Sequence, residues 1–353
     1  MKPLVKILSL LYVLSLALLP VSCDTDGNNY TGPWQEVPTP GVGGNLEACY
    51  FNSPDDGWAC GSEGDRPYMV LIHWNGNEWE RYEYPGWFED EEYIHISLFD
   101  IAFSSPDCGW CVGSVMYKAT GEDRGAGFIL RYDGNEWYVF TEHLGEQVDN
   151  VFAVSDNGVW FSCWEPYGGD EGSDLFHWNG SELEYYDLNP GNYGISALAF
   201  GSANDGLAVG RYKVIYHWDG SSWEQIYYGL GGELDGVAYS TPSTAWIVGN
   251  YPYNIFRWDN GELTWEHHKN CWYEDVHFSS PDEGCMYGVE ATEQYPDGHG
   301  FTWHWDGVGW TRVDIPEDMG GWDIFSIDNE NAWVVGEHNA YTPYCSSWRY
   351  ISN

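Results

Sequence analysis

An aromatic residue followed by Asn-Gly or Asp-Gly and then a second aromatic or Leu recurs along the chain. The copies are Trp74-Asn75-Gly76 with Trp79, Tyr132-Asp133-Gly134 with Trp137, Trp178-Asn179-Gly180 with Leu183, Trp218-Asp219-Gly220 with Trp223, Trp258-Asp259 with Trp265, and Trp305-Asp306-Gly307 with Trp310. No other feature limits the fold as much, because a short repeated unit buries its apolar face only against the next unit. Asn-Gly and Asp-Gly between apolar residues signal a tight hairpin turn with positive φ at both central positions, so each copy predicts two antiparallel strands. A second signature precedes these: an apolar strand, a turn of Ser, Pro, Asp or Asn, and an aromatic-containing strand that usually ends in Gly. It runs over Phe51–Gly61, Phe103–Gly113, Val154–Cys163, Phe200–Gly210, Tyr239–Gly249, Phe278–Gly288 and Ile327–Gly336. Seven units of four strands, a to d from the inside out, predict an all-β chain folded as a seven-bladed β-propeller, at about 46 residues per blade.

The seventh unit supplies strands a to c only, the third at Ser347-Trp348-Arg349-Tyr350. Pro33-Trp34-Gln35-Glu36-Val37-Pro38 resembles the outer strand of the first unit, Trp79 to Pro85. It is expected to complete the last blade, closing the ring and removing its open edges. The propeller is therefore assigned to 33–353. Residues 1–22 read as a signal peptide, with Lys2 and Lys6 before a charge-free run from Ile7 to Leu19 that is too short to span a bilayer. The ending Leu19-Pro20-Val21-Ser22-Cys23 resembles a bacterial lipobox. That resemblance implies lipidation of Cys23, with 23–32 as anchor and tether at the bacterial cell envelope; simple cleavage and secretion is the alternative.

Charge excludes two classes of partner. The full chain carries 13 Lys and Arg against 55 Asp and Glu, a net charge of −42, and loss of the signal peptide takes this to −44. No basic stripe is available for nucleic acid, and an anionic membrane surface would repel the chain, so membrane contact is expected only through a lipid anchor. Aromatic residues make up 18% of the sequence, which argues against an acidic disordered chain. If Cys23 is the anchor, eight cysteines remain, an even number that suits an oxidising compartment. With Phe51 opposite Trp58, Cys49 stands opposite Cys60, and the expected disulfide joins them. Cys108-Gly109-Trp110-Cys111 has redox spacing but falls in a strand-loop-strand, not at a helix N-terminus, and reads as structural. His73, His177, His217 and His304 share one repeat slot with Arg131 and Arg257, as blade-packing residues would.

On these signatures the units resemble the BNR-type propeller repeats of exported bacterial proteins, related to photosystem II assembly-factor propellers and more loosely to sialidase Asp-box repeats. The resemblance implies that the b–c and d–a connections emerge on one ligand-binding face. Long b–c stretches in blades 6, 7, 1, 2 and 3 form one arc there, carrying Tyr68, Tyr117, Trp164, Tyr167, Tyr295, Tyr341 and Tyr344 among acids such as Glu122, Asp123, Asp170 and Glu171. Loop aromatics amid polar residues suit a protein or a glycan. The resemblance also implies that strand a lines a central channel. Glu47, Asp100, Asn150, Asp235, Glu274 with Asp275, and Asp323 then fall near one level at its mouth, where Glu47, Asp100, Asp235, Asp275 and Asp323 make a candidate Ca²⁺ site, the alternative being ordinary turn acids. The expected function is that of a monomeric, non-catalytic extracytoplasmic binding or scaffold protein. The alternative is a glycan-cleaving, sialidase-like enzyme, for which Arg66, Arg124 and Arg211 would clamp a substrate carboxylate.

Overall fold

In the computed structural model, the described residues are 32–351 apart from 41–42, 64–67, 85–92, 118–123, 145–146, 165–173, 189–193, 251–253, 292–298, 317–318 and 339–343 and positions 230, 269 and 329. The segments read as signal peptide and tether, Cys23 included, thus lie outside them apart from Gly32. The described residues form seven four-stranded antiparallel sheets, each a meander of neighbouring strands. Blade 1 shows the pattern: strand a is Gly44–Ser53, b is Asp56–Glu63, c is Tyr68–Trp74 and d is Trp79–Arg81. This is the seven-bladed β-propeller that the repeats predict.

The ring closes as the outer-strand resemblance requires. Trp34–Glu36 pairs antiparallel with strand c of blade 7, Trp34 opposite Tyr350 and Glu36 opposite Trp348. Trp34 is buried, and its indole N–H donates to Thr302 Oγ1 of blade 6 at 3.1 Å. Trp79, its counterpart in blade 1, likewise donates to Ser347 Oγ of blade 7 at 3.0 Å. The outer-strand tryptophan therefore ties each of these two blades to the one before it.

Tryptophan on strand b is the centre of blade-to-blade packing. Trp333 of blade 7 stacks on Phe51 of blade 1 at 4.9 Å and 18°, with Trp74 and Trp79 closing around it at 4.9 and 5.4 Å. Trp160 of blade 3 meets Phe200, Trp218 and Trp223 of blade 4 in the same way, at 5.4, 5.1 and 5.4 Å. Trp58 of blade 1 does so with Phe103, Tyr132 and Trp137 of blade 2. The His/Arg slot covers the other side of this ring. His73 lies 4.5 Å from Trp58, His177 4.3 Å from Trp160, and the Arg131 guanidinium 4.8 Å from Trp110. His73 also pairs with Asp56 at 2.7 Å and His217 with Asp205 at 3.2 Å, so these side chains are engaged within the blade.

Two local readings are corrected. In five of the six Asn/Asp-Gly copies the turn is a four-residue loop, not a two-residue one. Asn75 Oδ1, for example, accepts the N–H groups of Asn77 and Glu78, both at 3.0 Å, and only Gly76 takes positive φ. The Asn or Asp works through its side chain, as an Asx turn. Of the six copies, only that of blade 5 is a two-residue turn, with Asn260 and Gly261 both at positive φ between paired Asp259 and Glu262. The second correction is the disulfide. Phe51 pairs with Gly57, not Trp58, because its ring lies over the space a Cβ at Gly57 would fill, 2.2 Å from the nearest ring carbon. Cys49 is therefore opposite Ala59, and Cys60 opposite Ala48. The two cysteines point to opposite faces of the blade, Cys49 into the cluster with Trp333 and Cys60 into the cluster with Ile101, so they cannot bridge each other; all eight described cysteines are buried.

Removing the closing tryptophan should open the ring. Trp34→Ala is expected to cost about 3–5 kcal/mol of unfolding free energy, as for other buried aromatic truncations, and to lower the urea midpoint. An unchanged midpoint would contradict the closure.

Candidate functional site

Strand a of every blade contributes to a central cavity of about 260 Å³, lined by residues from Cys49 and Tyr50 in blade 1 round to Asp323 and Phe325 in blade 7. The strands reach it through a shared irregularity. In six blades a register shift leaves one extra residue on strand a: Glu47, Phe99, Asp149, Ser196, Asp235 and Glu274. A bulge of this kind re-aims the residues on either side of it, since side-chain direction alternates along a strand. The residue after the bulge defines the level of the ring: Ala48, Asp100, Asn150, Ala197, Gly236 and Asp275, with Asp323 in blade 7.

The expected acidic ring is thus corrected. Glu47 and Asp235 are bulge residues outside the cavity lining, whereas Asp100, Asp275 and Asp323 line it. Their oxygens serve the neighbouring blade. Asp100 Oδ2 accepts the Val151 N–H at 2.8 Å, Asn150 Oδ1 that of Leu198 at 3.0 Å, Asp275 Oδ2 that of Ile324 at 3.3 Å, and Asp323 Oδ2 that of Cys49 at 2.6 Å. His277 Nδ1 repeats the contact two residues further along, accepting the Ser326 N–H at 3.1 Å. Among the described residues, no three His, Cys, Asp or Glu side chains come together as a metal ion would need. The arrangement suits blade clamping better than a Ca²⁺ cage.

Burial sets the protonation of these groups. It pushes the Asp100 carboxyl up to about 8, against the N–H bonds it accepts and with help from the Asp323 charge. Asp275 and Asp323 are both raised, first by burial, and the Asp323 charge raises Asp275 further. Burial raises Asp235 to about 8 and Asp149 to about 7, and lowers His277 to about 4, keeping it a neutral acceptor.

The b–c and d–a connections share the face at which strand a begins, and the exposed loop aromatics stand there. Tyr68 starts strand c of blade 1, Tyr212 lies in the b–c turn of blade 4, Tyr228 follows strand d of blade 4, and Trp322 precedes strand a of blade 7; they are 56%, 46%, 43% and 42% exposed. On the opposite face the exposed large apolar residues among those described are Val308 and Ile351, neither aromatic. Of the arc read from the sequence, Tyr68 is placed with its side chain. Tyr117, Trp164 and Tyr344 end or begin strands but their side chains lie outside the description, as do Tyr167, Tyr295 and Tyr341 altogether.

Tyr212, Tyr228 and Trp322 were not among the expected residues. Tyr212 and Lys213 have φ of 54° and 56°, a two-residue turn closed by the Val214 N–H to Arg211 O bond at 3.2 Å, with no glycine to relieve it. Such strain persists only where surrounding contacts impose it. Here the buried Lys213 ammonium donates to the main-chain oxygens of Glu233 and Asn250 in blade 5, and the Gly229 N–H donates to Tyr212 O. Tyr212 is thereby held 6.4 Å from Tyr228. The sequence signal is a turn of Arg211, Tyr212 and Lys213 between Gly210 and Val214, where Gly or Asn is expected. Of the arginines considered for a sialidase-like site, Arg211 pairs with Glu233 at 3.4 Å, Arg66 lies outside the described residues, and the Arg124 side chain is likewise outside them.

The fold defines a seven-bladed β-propeller. No family model and no curated protein matches the chain. Among solved structures it is similar to "YCF48 bound to D1 peptide", with a TM-score of 0.62 and 14% identity over 91% of this chain and 97% of that one. It is similar also to YCF48 from Cyanidioschyzon merolae, at 0.60 and 14% over 90% and 99%, and to U3-55K, at 0.59 and 13% over 91% and 98%.

The raised carboxyls give stability an unusual slope with pH. Their folded-state pKa values lie above the unfolded carboxylate value, so their stabilisation is complete below about pH 4 and is lost as pH rises through about 7 to 8. The melting temperature should fall between pH 6.5 and 8, and Asp100→Asn should flatten that fall. Melts that coincide across this range would contradict the buried-acid assignment.

Proposed function

We propose that this propeller is a non-catalytic binding scaffold of the bacterial cell envelope, and that it holds a polypeptide partner across the face where the b–c and d–a connections emerge. The observation that carries this reading is the gathering of exposed loop aromatics, Tyr68, Tyr212, Tyr228 and Trp322, on that one face. Aromatic side chains bring large contact area at small entropic cost and dominate protein interfaces. The polar groups of the channel support it too. Asp100, Asn150, Asp275, Asp323 and His277 are spent on hydrogen bonds to the next blade. YCF48, similar in fold, is solved with a D1 peptide bound. The net charge of −42 favours a partner with a basic surface, because complementary potentials steer association.

The test is crosslinking in the native host with the double change Tyr212→Ala and Tyr228→Ala, set beside Tyr185→Ala and Trp265→Ala on the outer strands. Loss of one interface aromatic costs about 2 kcal/mol, or about 30-fold in affinity, so captured partner should drop by at least roughly 30-fold for the first pair and stay level for the second. Equal capture by all variants would overturn the reading, and capture of glycan in place of protein would replace the partner class.

Export with lipidation at Cys23 belongs to the same proposal, supported by the lipobox-like Leu19-Pro20-Val21-Ser22-Cys23. Cys23→Ala should move the protein from the membrane fraction to the soluble one. Continued membrane association of that variant would dismiss the anchor.

A further inference from the structure

Cys60 and Cys111 meet across the interface of blades 1 and 2. In blade 1, Ala48, Cys60 and Leu71 stand side by side on strands a, b and c; in blade 2, Ile101, Cys111 and Leu130 do the same. All six belong to one buried cluster, so the two rows face each other, with a cysteine at the middle strand of each. Both cysteines are fully buried, and Cys111 lies near enough to Cys60 to push its thiol pKa up beyond what burial alone does. Sheets packed face to face lie about 10 Å apart, and immunoglobulin domains bridge that gap with a buried inter-sheet disulfide beside a tryptophan. Trp58, in the same cluster, is comparably placed.

We infer that Cys60 and Cys111 form a disulfide that staples blade 1 to blade 2, made by thiol–disulfide exchange with a small-molecule or protein disulfide as the chain folds. One thiolate attacks a sulfur of the oxidant and expels half of it as a thiol; the second thiolate attacks the resulting mixed disulfide and expels the other half. The two cysteine thiols give up two protons and two electrons, and the oxidant leaves as two thiols. The timing follows from burial. In the docked blades the Cys60 thiol is held protonated by its apolar surroundings and by its neighbour, so exchange belongs to the stage before the interface seals. Once sealed, the bridge is out of reach of reductants, a permanent lock and not a switch.

The experiment is a peptide map of the full chain refolded in a buffer of oxidised and reduced glutathione, alkylated and then digested without reduction. The expected result is a single crosslinked pair containing Cys60 and Cys111, two hydrogens lighter than its free peptides, with Cys49 alkylated. The melting temperature should drop by roughly 5 °C when refolding is done in reductant, and the double variant Cys60→Ala with Cys111→Ala should lose that dependence while Cys49→Ala keeps it. Alkylation of both Cys60 and Cys111 after oxidative refolding, or a crosslink from Cys60 to any other cysteine, would overturn the inference. The wild-type map decides this even if a variant fails to fold.

Discussion

One aromatic contact joins blade 7 to 1, blade 1 to 2 and blade 3 to 4: the strand-b tryptophan of one blade against the inner-strand phenylalanine of the next. Trp333 with Phe51, Trp58 with Phe103 and Trp160 with Phe200 repeat it with nearly parallel rings. The further aromatics of the following blade close edge-on, Trp79, Trp137 and Trp223 among them, an arrangement favoured by the ring quadrupole. Much else follows from this packing. The strand-b glycine beside each phenylalanine is needed because the ring occupies its Cβ space, as at Gly57 and Gly109. The histidine and arginine slot exists because the opposite face of the tryptophan needs a cover that can still reach water.

The polar channel is the counterpart of this apolar layer. Blades in a ring share no strand pairing, so their inner strands leave N–H groups facing a narrow cavity. At four interfaces a side chain from the preceding blade accepts one of them: Asp100, Asn150, Asp275 and Asp323. At the others the same position holds Ala48, Ala197 or Gly236. Gly236 is explained by its neighbour, since a Cβ there would stand 2.8 Å from both the backbone and the carboxyl of Asp275.

Blade number, blade order and the closing strand were legible in the sequence because they rest on repetition and on hydrophobic alternation, which survive small local errors. The register within a blade was not. A bulge adds one residue without any fixed residue type, so Glu47 and Ala48 cannot be assigned to bulge and ring by inspection, and the same ambiguity mislocated Asp235 and the partner of Cys60. The Asn-Gly turns misled differently: the dipeptide suits a two-residue turn, but the side-chain oxygen of Asn75 organises a longer loop instead. Tyr212 escaped notice because its exposure depends on Lys213, a lysine buried by hydrogen bonds to another blade, which no local pattern announces.

The closing strand has a consequence for how the protein is made. Trp34–Glu36 emerges from the ribosome among the first folded residues, while its partner Tyr344–Ile351 emerges among the last. The ring therefore has no way to shut during synthesis. Any chain without Tyr344–Ile351 keeps two raw sheet edges, one at each end, which are open to pairing with other chains. Closure is thus settled by geometry: only a chain that carries both Trp34–Glu36 and Tyr344–Ile351 joins the two ends of the ring.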